Sequence, residues 1–188
     1  MLKYYLEKIS ECEFTERDIE IPKLVNALKN TASAKGTFQS SHTLQVIAEF
    51  FAAEFVARCD FLKNFICTHA NLFTKNIDHD IATNAKEEFQ NYSLPEIEKI
   101  KNFYNDSVKP IGKNLSNDTM KKNIEQELIN KMNACIRKNN LYIELTFMKI
   151  TVTESNPPVT LLQPNFYGLG VDLRELWNRY LGRLFRES

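Results

Sequence analysis

Glycine is scarce in this chain of 188 residues: five occur, at positions 36, 112, 168, 170 and 182. With that spacing neither a GxGxxG turn nor a GxxxxGK[ST] phosphate loop can be written anywhere, so the common nucleotide-cradling motifs are excluded. An excess of either charge is also missing. The 24 Lys and Arg balance the 24 Asp and Glu, whereas a general nucleic-acid binder is expected to carry a basic surplus. Histidine is limited to His42, His69 and His79, and no pair of them has the close spacing that zinc sites use. No apolar run approaches the roughly 18 residues of a spanning helix. The best stretch, 46–57, is interrupted by Glu49 and Glu54.

The four cysteines, Cys12, Cys59, Cys67 and Cys135, are scattered along the chain and form no close-spaced pair. On a helix Cys59 and Cys67 stand about 12 Å apart, beyond disulfide reach. The N-terminal residues show no basic segment followed by an apolar stretch, so no signal peptide is visible. These features place the protein in a reducing cytoplasm, with its thiols as core residues.

What is present is a large apolar complement: 43% apolar residues, including 13 Phe and 7 Tyr. That is ample for a packed core and excludes a disordered chain. The periodicity predicts a mainly α, α+β fold, a helical bundle around one long central apolar helix. Leu2, Tyr5, Leu6 and Ile9 recur at helical spacing. A break near Ile21-Pro22 divides this first helix from a second, bearing Leu24, Val25 and Leu28. Residues 34–40 read as a loop. Ser41 is the expected N-cap of the dominant helix, from about His42 to Leu72. Leu44, Ile47, Ala48, Phe51, Phe55, Cys59, Leu62, Phe65 and Ile66 share one face of it, and Phe50, Ala53, Ala57 and Phe61 add a second apolar side. A helix apolar over more than half its circumference belongs in the middle.

Another helix is expected over 81–91. Ser93-Leu-Pro-Glu96 then reads as a capping box opening the next one, which ends before Lys109-Pro110. A further helix runs from about 117 to 137 and stops at Asn139-Asn140. In 141–154 the period changes to 2, with Leu141, Ile143, Leu145 and Phe147 alternating. A phase slip at Met148-Lys149 and a partner strand at 159–162 complete an expected antiparallel hairpin. The last element, Asp172 to Phe185, reads as an amphipathic helix delivered by a hinge at Tyr167–Gly170. The expected organisation is therefore a domain over 1–166 followed by hinge and terminal helix over 167–188.

Catalytic chemistry is hard to write. No G-x-S-x-G occurs, and Cys59 and Cys135 sit on apolar helical faces rather than in thiolate-favouring settings. Asp78-His79-Asp80 is explained by capping and the helix dipole. The Arg-and-His pairing of helical ribonuclease bundles of the HEPN type is missing too: Arg58 and His69 have ten residues between them. A divergent helical enzyme or nuclease-like effector would have to use Glu54, Arg58, Cys67 and His69. No metal site and no cofactor are expected.

Two features remain. Glu54 and Arg58 are i,i+4 on the central helix, with Arg58 inside its main apolar face. They read as a partly buried ion pair, as an Arg whose stem packs while its head reaches water, or as a guanidinium offered to an anionic ligand or a partner carboxylate. The first two are favoured because a carboxylate is supplied in sequence. The second feature is the C-terminus. Leu173, Leu176, Trp177, Tyr180, Leu181, Leu184 and Phe185 keep a helical apolar stripe, with Arg174, Arg179, Arg183 and Arg186 outside it. Four of the seven arginines and the only tryptophan lie there. A basic amphipathic helix with an aromatic anchor suits a partner's groove, self-association or a membrane surface. The expected contacts are Leu173, Arg174, Trp177, Arg179, Tyr180, Arg183 and Leu184. Between 96 and 138, nine Lys and Arg face six Asp and Glu, a solvated helical surface rather than a nucleic-acid stripe. The sequence thus points to a non-catalytic, intracellular interaction or regulatory module, acting on a protein partner or its own copies, with a membrane surface less favoured.

Overall fold

The computed structural model describes residues 2–69, 80–111 and 118–154. They form four α-helices: α1 (Leu2–Ala34), α2 (Ser41–Thr68), α3 (Asp80–Val108) and α4 (Asp118–Glu154). No strand occurs among the described residues, so this part of the chain is all-α rather than α+β. The described residues belong to the unit Met1–Ser155; the segment Asn156–Ser188 is a second unit. The expected strand at 159–162, the hinge and the terminal helix fall in that segment and lie outside the described residues.

Cross-helix pairs give the topology. Phe14 meets Phe61 and Asp18 meets Arg58, so α1 and α2 are antiparallel. Phe51 meets Tyr104 while Arg58 meets Glu96, so α2 and α3 are antiparallel as well. Asn105 with Glu125 and Lys86 with Glu144 reverse α4 against α3. The result is an up-down-up-down bundle. Its cross-section is not square: α2 packs closely on α3 and on α4, those two pack on each other, and α1 leans on α2 with only slight contact to α3. The central position expected for the apolar helix is therefore held by α2. Its Leu44, Ile47, Phe51, Phe55, Cys59, Leu62 and Ile66 are all buried, each large side chain worth about 1.5–3 kcal/mol of transfer free energy.

Local chemistry fixes the first connection. Gly36, at φ 68°, follows the last turn of α1. Thr37 N–H donates to the Ala32 carbonyl and Gly36 N–H to that of Ser33, the paired bonds of a Schellman ending that needs a left-handed residue at this point. The chain then caps α2 with Ser40, whose hydroxyl accepts the Thr43 N–H at 3.3 Å. The cap is thus one residue earlier than the expected Ser41.

Three expected boundaries are absent. Helix α1 runs unbroken through Pro22, and α3 through Pro95. Both prolines lie on exposed sides, where a carbonyl robbed of its N–H partner can be hydrated, so packing of the opposite face overrides the local penalty. The capping box at Ser93 does not form: the residue is in mid-helix, its buried hydroxyl has no hydrogen-bond partner among the described residues, and Glu96 bonds to Arg58.

The third boundary is the most instructive. Asn139 does not stop α4; its amide donates to the Cys135 carbonyl one turn back, at 3.1 Å, and the helix continues to Glu154. The alternating apolar residues are two i,i+4 pairs on different sides of one helix. Ile143 and Phe147 continue the buried stripe of Met132, Cys135, Ile136 and Asn139, whereas Leu141 and Leu145 are exposed. A period of 2 over four residues was therefore compatible with a helix, and long-range packing on α2 and α3 decides the matter.

Candidate functional site

In three helices a charged residue interrupts the core stripe, with Glu54 on α2 a further buried charge. On α1 it is Asp18, in the series Phe14, Asp18, Ile21, Val25. On α2 it is Arg58, between Phe55 and Leu62. On α3 it is Glu96, between Phe89 with Ser93 and Ile100 with Tyr104. The antiparallel pairings bring these three to one level of the bundle.

Arg58 is the centre. Its side chain is 0% exposed, the largest fully buried side chain in the core. Nε donates to Glu54 Oε1 at 3.0 Å, Nη2 to Asp18 Oδ1 at 2.7 Å, and Nη1 to Glu96 Oε2. The Phe14 ring lies 5.2 Å from the guanidinium carbon and covers the flank left by the carboxylates. A second ring of charges surrounds the first. Arg17 reaches Glu54 at 3.5 Å and Glu13 at 2.7 Å, while Lys99 pairs with Asp18 and stands 3.9 Å from Glu96. Four carboxylates (Glu13, Asp18, Glu54, Glu96) face three cations (Arg17, Arg58, Lys99), leaving one negative charge in excess.

Burial governs the electrostatics. It pushes the Glu54 carboxyl above its ordinary value of 4.5, against the opposing pull of Arg58 and Arg17. For Arg58 burial works against the charge, but Asp18, Glu54 and Glu96 outweigh it and raise its pKa, so the guanidinium is firmly charged. A planar donor fork held by three acceptors is a use to which Arg is suited and Lys is not. The i,i+4 pair expected from sequence is present, enlarged by two carboxylates from other helices. An incoming anion would have to displace three carboxylates and enter the bundle core.

The other candidates do not join it. Along α2, His69 is about 16 Å from Arg58 at ~1.5 Å per residue. Its Nδ1 is placed to donate to the Phe65 carbonyl at 2.9 Å, and its ring stacks on Phe65 at 4.3 Å. Burial raises the Cys67 thiol, offset by a hydrogen bond with Thr146 of α4 and by Lys63. Cys67 and His69 thus sit about two to three turns along α2 from Arg58. Cys59 meets Cys135 across the α2–α4 contact, and that hydrogen bond together with burial keeps the Cys59 thiol protonated far above its usual range. No group of three His, Cys, Asp or Glu able to hold a metal occurs among the described residues. Nor is any helix among them long and apolar enough to cross a membrane.

No family model, curated protein or solved structure matches this chain. The reading of the site rests on its own geometry. Arg17, Asp18 and Lys99 were not singled out in the sequence and Glu96 was read there as a capping residue, although the signal was present. Each of Asp18, Arg58 and Glu96 interrupts an apolar stripe, and a charge at such a position calls for a partner at the same depth on a neighbouring helix. The terminal residues Leu173, Arg174, Trp177, Arg179, Tyr180, Arg183 and Leu184 lie outside the described residues.

Proposed function

We propose that the protein is a non-catalytic interaction or regulatory module of the cytoplasm, acting through self-association or a protein partner. The observation that carries this reading is the contrast between its interior and its surface. The strongest ionisable cluster is closed on itself, with Arg58 spent on three carboxylates. Large apolar side chains meanwhile stand outward on the helices: Tyr5, Ile9 and Ile19 on α1, Leu141 and Leu145 on α4. Ordered rows of exposed apolar residues are what contact surfaces offer, whereas single ones carry no such meaning. The four free thiols agree with a reducing compartment. The basic, tryptophan-bearing segment 172–185 supplies a second candidate contact, through Trp177 and its flanking Leu and Arg residues.

Light scattering and sedimentation of the full chain, beside a form ending at Gly170 and the Trp177→Ala variant, test the reading. Concentration-dependent assembly supports the self-association arm. Assembly unaltered by both changes removes the terminal segment from the interface. A chain that stays monomeric at every concentration leaves only the partner arm.

A further inference from the structure

The outer face of α1 is an ordered stripe. Tyr5, Ile9, Cys12, Glu16 and Ile19 recur at spacings of four, three, four and three, which at 100° per residue confines them to one narrow strip. That strip is turned away from the buried series Leu6, Ser10, Phe14, Ile21, Val25. All five are exposed, with Tyr5 at 54%, Ile9 at 40% and Ile19 at 59%. Of the residues that recur at helical spacing near the start of the chain, Leu6 is buried whereas Tyr5 and Ile9 face outward. Between Tyr5 and Ile19 the stripe is about 21 Å long at ~1.5 Å per residue. A spacing that alternates three and four is the seam along which helices pair.

Charge decides what fits it. A parallel copy would set each residue against itself, placing Glu16 against Glu16 and Lys8 against Lys8. An antiparallel copy centred on Cys12 brings residue i opposite residue 24 minus i. Tyr5 then meets Ile19 of the other copy, Cys12 meets Cys12, and Glu16 meets Lys8. That register sets Tyr5 on Ile19 and Ile9 on Thr15 of the other copy, and gives the stripe's one acidic member a cation. Lys8 forms an exposed pair with Glu11 at 3.2 Å, a contact weak enough to be exchanged.

We infer that α1 is the self-association surface, pairing antiparallel with α1 of a second copy about a two-fold axis at Cys12. The pairing is isologous, so it closes at a dimer. This inference rests on the self-association arm of the proposed function and names its surface.

Sedimentation equilibrium of the full chain tests it. Ile9→Glu and Ile19→Glu alter solvent-facing positions, so helicity by circular dichroism is expected to be unchanged, and each appears twice per dimer. The expected result is a dimer dissociation constant weakened about a hundredfold by either variant. Lys8→Glu and Glu16→Lys should each weaken the dimer, and the two together should restore it. A short-spacer bismaleimide should crosslink the wild-type dimer and fail on Cys12→Ser. A dimer that survives Ile9→Glu and Ile19→Glu combined, and is lost instead on Leu141→Glu or Trp177→Ala, overturns the inference while self-association stands. A chain monomeric throughout overturns both. Failure of the charge swap to restore the dimer overturns the antiparallel register.

Discussion

Replacing Arg58 by Met keeps an unbranched side chain of similar reach and removes the charge that three helices share. Glu54, Glu96 and Asp18 would be left around an apolar group. They are not equally stranded: Asp18 retains Lys99, and Glu54 retains Arg17 at 3.5 Å. Glu96 retains Lys99 at 3.9 Å. Glu54, 3% exposed, is the worst placed to find water. Breaking a buried ion cluster by removing one partner costs about 3–5 kcal/mol, because the remaining charges stay desolvated. With a urea slope of about 2 kcal/mol/M, the unfolding midpoint by far-UV circular dichroism should fall by about 1.5–2.5 M. Two corollaries separate this mechanism from a simple packing defect. Adding Glu54→Gln to Arg58→Met should recover part of the loss. Lowering the pH should also narrow the gap from wild type, since stranded carboxylates acquire raised pKa values and are stabilising when protonated. A loss below about 1 kcal/mol, or a gap that widens on acidification, would refute the account of Arg58 as the charge that holds α1, α2 and α3 together.

Glu54→Gln should flatten the pH dependence of wild-type stability just above pH 4.5. The raised Glu54 pKa makes its contribution full below 4.5 and lost as pH rises through the folded-state value, a slope readable from urea midpoints across that window. Tyr104→Phe should be neutral or stabilising by about 1 kcal/mol. The Tyr104 hydroxyl is buried without a hydrogen-bond partner among the described residues, and burial raises its pKa to about 12. Pro22→Ala and Pro95→Ala should each raise the thermal midpoint, with gains of up to about 3 kcal/mol, because both prolines sit exposed inside continuous helices. Ile143→Asp should cost about 3 kcal/mol or more and Leu145→Asp within about 0.5, measured by urea unfolding. A strand would place those two residues on one face and give them similar costs, so equal losses would contradict the helical course of α4.

The parts of the fold that could be read from sequence are those where local pattern and long-range packing agree. The 28 residues of α2 are apolar on so much of their surface that only a central position can bury them. The glycine at 36 marked a real turn because its left-handed backbone is needed there. Where the two disagreed, the local signal lost each time. Pro22, the Ser93–Glu96 box and Asn139 are all sound stop or start signals in isolation. In the bundle each sits within a long helix whose opposite or own face is committed to the core, and a break there would forfeit several buried side chains to satisfy one or two backbone groups. Asn139 shows how the conflict is resolved: its amide bonds back to Cys135 and the helix passes on.

The charged centre was half legible for a related reason. Sequence spacing reveals pairs on one helix, so Glu54 and Arg58 were found. Asp18 and Glu96 enter from helices 40 and 38 residues away in sequence, and no local pattern links them to Arg58. Their marker is subtler, a carboxylate inside an apolar stripe. Glu96 had a ready local explanation as a capping residue that concealed it. A charged group in a core stripe is costly unless its partner lies at the same depth, so Asp18, Arg58 and Glu96 together specify which level of each helix must face the others. Apolar side chains can slide by a turn and still be buried, but this triad cannot. The ion cluster therefore sets the register of α1 against α2 and α3, and since α1 has the fewest neighbours, it also determines which face of α1 is left outward. Tyr5, Ile9, Cys12, Glu16 and Ile19 are presented to solvent because Asp18 is committed to Arg58, so the buried charges and the exposed stripe are two consequences of one registration.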